Sequence, residues 1–158
     1  MVNGLLQDVG FLKSLGPRLW MVNAGIWHLL CDKDSVPGQP CTDPNYSAQV
    51  HQLLELLEDV VQGPIVWKDS TASHKENLPE NVGEGVKHKF SDFTDANTRA
   101  LNMQARTVLD LHVHVLNYSY AVTRPRADNL ISGDMRHYRG DVMKTMGRIS
   151  TLNWCQLL

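Results

Sequence analysis

Asp134 and His137 stand three residues apart in a polar stretch just ahead of the last apolar-periodic segment. General-base chemistry needs an accessible imidazole and an acid that holds its tautomer, and this spacing lets both reach one cleft. A solvated loop pair, or a helix N-terminus favouring the acid, gives the same spacing. Asn23-Ala-Gly25-Ile-Trp27-His28 follows the first apolar run. Glycine permits close backbone approach, and an adjacent Asn amide can donate to an oxyanion; a strand ending in a tight turn reads identically. Trp67 to His74 (WKDSTASH) closes the second apolar run with a polar cluster, which suits a site wall or a capped loop. His112 and His114 share one face of a strand, but no third or fourth ligand stands near them. Neither a metal nor a cofactor is expected.

The elements that must position these groups alternate. Arg18 to Gly25 is a short apolar run with a buried-strand signature, preceded by Leu5 to Leu15 as a helix that Gly16-Pro17 stops. Cys31 to Tyr46 is loop-like. Ser47 to Gln62 carries Val50, Leu53, Leu54, Leu57, Val60 and Val61 on one 3.6-residue stripe, with Ser47 as N-cap and Gly63-Pro64 as its stop. Ile65 to Ser70 reads as a buried parallel strand. Thr71 to Ser91 reads as a long functional loop. A second helix runs from Ser91 or Asp92 to about Asp110, with Ala96, Ala100, Leu101, Ala105, Val108 and Leu109 on its apolar face. His112 to Val122 is β-rich, Thr123 to Met135 is a polar loop, and Arg139 to Cys155 is a closing helix with Val142, Met146, Ile149 and Leu152 inward. This order predicts an α/β three-layer sandwich on a parallel sheet, with chemistry at the carboxyl ends of the strands.

Composition narrows the class. With 158 residues, 42% of them hydrophobic, the chain can bury a core and makes one domain or most of one. Fifteen basic against 17 acidic residues leave no basic stripe for nucleic acid. No apolar run approaches the ~20 residues of a membrane span, and Met1 to Gly10 lacks signal-peptide character. Cys31 and Cys41 enclose a polar segment that either closes as a small disulfide or holds two thiols, with Cys155 left over. Asn45-Tyr-Ser47 and Asn117-Tyr-Ser119 fit the glycosylation sequon, and with that disulfide they lean toward a secretory compartment.

Three ordered blocks resemble the SGNH/GDSL hydrolase superfamily, in its PC-esterase-like branch. They are MVNAGIWHLL, IVWKDSTASH, and GDMRHY followed by LNWC, together spanning roughly Arg18 to Cys155. The resemblance implies acyl-ester chemistry on a small-molecule or glycan acyl ester. His137 would be the base, Asp134 its orienter, Gly25 and Asn23 oxyanion candidates, and His74 a residue lining the site. In the wider superfamily the Asn follows the Gly; here Trp27 holds that later position. His137, Gly25 and His74 are expected to face one cleft.

The family's Gly-Asp-Ser nucleophile block is absent from this sequence, whose Ser132-Gly133-Asp134 runs in another order near the opposite end. The expectation is therefore a partial domain, 1–158, without its opening strand, or a domain that has lost catalysis. Ser70 and Ser73 are the substitute nucleophiles within the chain. An esterase or O-acyltransferase leads, and a non-catalytic binding domain is second. A flavodoxin-like or nucleotide-binding domain comes last, because AGIWHLL offers one glycine where a phosphate loop needs several.

Overall fold

The computed structural model describes residues 13–14, 16, 19–31, 43–109, 113–116, 118–131 and 135–157. Three strands form one parallel sheet in the order β1 (Trp20–Val22), β2 (Ile65–Lys68), β3 (His114–Leu116). Trp67 lies opposite Val22 on one side and Val115 on the other, so β2 is the central strand. Ile65, Val66 and Trp67 are all buried, as a strand covered on both faces requires.

The strand-to-strand connections carry the helices. Helix α1 (Tyr46–Val60) joins β1 to β2. It buries Val50, Leu53, Leu54, Leu57 and Val60, the stripe expected from the sequence. It starts at Tyr46 because Asp43 fixes the turn before it: the Asn45 amide donates to Asp43 Oδ1 at 2.8 Å, and the Tyr46 amide donates to the Asp43 carbonyl at 3.1 Å. Helices α2 (Glu84–Lys89) and α3 (Asp95–Arg106) join β2 to β3. Thr94 caps α3, accepting the Asn97 amide at 3.1 Å, so that helix begins later than Ser91 or Asp92. After β3 come α4 (Tyr118–Thr123) and α5 (Gly140–Leu157).

Two apolar clusters flank β2. Ile65 and Trp67 join the α1 stripe, Phe93, Leu101 and Ala105 in the larger one. Val66 joins Tyr118, Leu130, Tyr138, Val142 and Met146 in the other. The alternation of side chains along a strand divides them in this way. The protein is thus a mixed α/β fold on a parallel sheet. Among the described residues no helix is long and apolar enough to cross a membrane.

Three segments depart from the sequence reading. Thr71 to Ser91 is not one loop: it contains a 3₁₀ turn at Lys75–Asn77 and α2, both too short to show a period. His112 to Val122 turns from strand to helix at Tyr118 despite its β-rich composition. Burial of Tyr118, whose hydroxyl pairs with Ser150, and the bond from the Thr123 hydroxyl to the Ser119 carbonyl at 2.6 Å outweigh β propensity there. On α3, Ala96 and Ala100 are exposed, while the polar Thr98 and Asn102 join Leu101 and Ala105 on the buried face.

Candidate functional site

Where β1 ends, the chain must turn sharply, and Gly25 does so with φ of 128°, a region that L side chains rarely adopt. A Cβ at this position would lie 2.4 Å from the Tyr46 hydroxyl oxygen and 3.5 Å from Ser70 Oγ. The Tyr46 hydroxyl donates to the Ala24 carbonyl at 2.8 Å, and burial raises the pKa of its phenol far above the usual value. Asn23 Nδ2 donates to the Lys68 carbonyl at 2.6 Å, tying the end of β1 to the end of β2.

Past β2, Asp69 to His74 is built as tightly as a core. Asp69 is fully buried and pairs with Arg106 of α3. Burial raises the Asp69 carboxyl's pKa, and the Arg106 hydrogen bond and charge offset part of that rise. Ser70 is held by Asn102 alone at both backbone groups: its amide donates to Oδ1 at 2.9 Å, and its carbonyl accepts from Nδ2 at 3.1 Å. The Ala72 amide donates to Thr123 Oγ1 at 2.9 Å, and the Ala72 carbonyl accepts from the Tyr138 hydroxyl at 3.0 Å. Thr98 Oγ1 lies 2.9 Å from Ser73 Oγ. The backbone groups of Ser70 and Ala72 are thus met from α3, α4 and the loop before α5, while among the described residues Asp69 Oδ1 and His74 Nε2 are buried without a hydrogen-bond partner.

These strand ends open onto one cleft of about 580 Å³. Asn23, Lys68, Ser70, Thr71, Arg136 and His137 line its polar side. His137 is exposed; its carbonyl accepts the Ile131 amide at 2.9 Å, and an antiparallel bridge joins Leu130 to the neighbouring Tyr138. The Arg136 guanidinium carbon lies 3.9 Å from the centroid of the exposed Trp27 ring, within the range of a cation–π contact. Burial lowers the pKa of the Lys68 ammonium on the cleft wall.

The sequence-derived residues sort clearly. Asn23 and His137, distant in sequence, line the same cleft, and of the two candidate serines Ser70 lines it with them. Ser73 is buried against Thr98 instead. Gly25 is one step behind the wall, between Asn23 and Ile26. His74 is buried: its Nδ1 is 3.1 Å from Glu76 Oε1, its amide donates to the Met135 carbonyl, and its ring meets Tyr138 edge-on at 6.4 Å. Asp134, Ser132, His112 and Cys41 lie outside the described residues, as does the Asn117 sequon position. Cys31 is buried, with its sulfur 3.1 Å from Ser91 Oγ. Among the described residues no three His, Cys, Asp or Glu side chains group as metal ligands would. Asn102 and Thr123 escaped the sequence reading, since a buried polar residue on a helix leaves no periodic signal.

No family model, no curated protein and no solved structure matches this chain.

Proposed function

We propose that this is an SGNH-type domain, an esterase or O-acyltransferase acting on acyl esters, glycan esters among them. The observation that carries the reading is the convergence of Asn23, Ser70, Thr71 and His137 on one cleft at the carboxyl ends of β1 and β2. In parallel sheets such crevices are where ligands bind. Apolar clusters on both sides of β2 support the three-layer arrangement that this family has.

His137 acts as the general base, with Asp134 as its proposed orienter. The imidazole takes the proton of a hydroxyl as that oxygen bonds to the acyl carbonyl carbon. It then returns the proton to the departing alkoxide. Water or a sugar hydroxyl repeats the cycle and frees the acyl group. An amide proton of Asn23 would serve the developing oxyanion. The Gly-Asp-Ser block is absent; Ser70 lines the cleft with His137, and the other lining serine, Ser150, has its hydroxyl paired with Tyr118. The second reading, a binding domain without turnover, draws on the burial of Ser70, whose Oγ lies 3.5 Å from the Ala24 carbonyl.

A fluorophosphonate probe followed by peptide mapping separates the two readings. Labelling at Ser70 that disappears in His137→Gln is expected of the enzyme. A folded chain that takes up no label supports the binding domain instead. The secretory assignment is supported by the exposed Asn45 sequon. A glycosidase-sensitive mass shift lost in Asn45→Gln would test it.

A further inference from the structure

Most of the cleft's lining surface is apolar. Ile26 lines the cleft from the turn after β1, Ile131 from the loop before α5, and Met143, Met146 and Gly147 from α5 itself. Tyr118 adds to this surface, its hydroxyl already paired with Ser150. Ile131 is 49% exposed and Met143 is 53% exposed. Exposed apolar side chains scattered singly are ordinary, but these two share a concave wall with buried apolar neighbours. The volume of about 580 Å³ falls among small-molecule sites, and an acetyl group would leave most of it unfilled. Unbranched thioether side chains such as Met143 and Met146 adapt readily to flexible hydrocarbon.

We infer that this cleft takes the hydrocarbon tail of a linear acyl group longer than acetyl, laid along Ile131, Met143 and Gly147. Its carboxyl end lies toward Asn23, Ser70 and His137. The placement of that end rests on the ester-chemistry reading above; the tail site does not. Gly147 supplies the means to test it. A Cβ there meets nothing within 4 Å, so a branch from the backbone at Gly147 is accommodated, and Gly147→Leu adds a side chain to the cleft lining with a gain in helix propensity. Met143→Gln removes apolar surface at a position exposed enough to tolerate the polar group.

The experiment is calorimetric titration of the whole chain with straight-chain carboxylates from acetate to octanoate. Each added methylene should lower Kd by about fourfold until the cleft is filled, as burial of a CH₂ implies. Gly147→Leu should abolish this dependence on length, and Met143→Gln should weaken it, with thermal melts verifying both folds. A Kd indifferent to chain length would overturn the inference, and so would the wild-type length dependence surviving in both variants. Length-dependent binding with no hydrolysis of any ester would sink the ester reading alone. Hydrolysis confined to acetyl esters, with flat binding, would sink the tail site alone.

Discussion

Asn102 closes both backbone groups of Ser70 with one side chain, accepting from the amide at 2.9 Å and donating to the carbonyl at 3.1 Å. The two residues are 32 positions apart, on α3 and just past β2. A primary amide suits this role because it carries a donor and an acceptor on one plane. Ser70 therefore stands at the cleft with its main chain fixed from behind.

Asn102→Ala should leave both groups buried and unpaired. Each such group costs about 1–3 kcal/mol, so the loss should be about 2–6 kcal/mol. In a domain of this size that lowers Tm by about 4–24 °C. Hydrogen exchange gives the local readout: the Ser70 amide should exchange faster than its neighbours in the variant. Unchanged protection at Ser70 would show that the clasp does not hold the strand end.

Gly25 and Tyr46 form a second coupled pair. Gly25→Ala should destabilise the fold by about 2–4 kcal/mol, since a positive φ strains any Cβ and this one meets the Tyr46 hydroxyl. Tyr46→Phe frees part of that space at the expense of the bond to the Ala24 carbonyl. The double variant should therefore lose less than the sum of the singles, by about 1 kcal/mol in a denaturation cycle. Strict additivity would place the strain elsewhere.

The Asp69–Arg106 pair gives a pH signature. Burial raises the folded pKa of Asp69, so the folded state holds its proton to higher pH than the unfolded chain does. Its contribution to stability is full below the unfolded value of 3.8 and is lost as pH rises through the raised folded value. Arg106 offsets this loss. Arg106→Ala should accordingly cost little at pH 4 and more at pH 7, where the buried carboxylate is left without its cation. Because Arg106 is 41% exposed, the difference should be modest, about 1–2 kcal/mol. Equal destabilisation at both pH values would mean that the pair acts through packing rather than charge.

Much of the fold was legible wherever a period ran long enough. The stripe from Val50 to Val60 marks α1 because four turns repeat it, and Ile65 to Trp67 reads as a strand because three consecutive apolar residues follow Gly63-Pro64. The closing helix likewise shows in Val142 and Met146, although Leu152 is 66% exposed. The 3₁₀ turn at Lys75–Asn77 and α2 were not legible, being shorter than two helical turns. At the site, strand-end placement pointed to Asn23 and to the segment after Lys68. What stayed hidden was the polar scaffold behind it. Asn102 and Thr123 look like solvent-facing residues until the backbone that they satisfy comes within reach, and Thr98 does so until the Ser73 hydroxyl comes within reach.

The cleft chemistry is tested most directly by kcat/KM for p-nitrophenyl acetate hydrolysis, measured on the chain and on His137→Gln. His137 is exposed, so the variant should melt with the parent. A positioned general base contributes about 10²–10⁴-fold, and a loss of that size is expected. Equal rates in the two proteins, or no hydrolysis by the parent, would contradict an ester-cleaving role for His137.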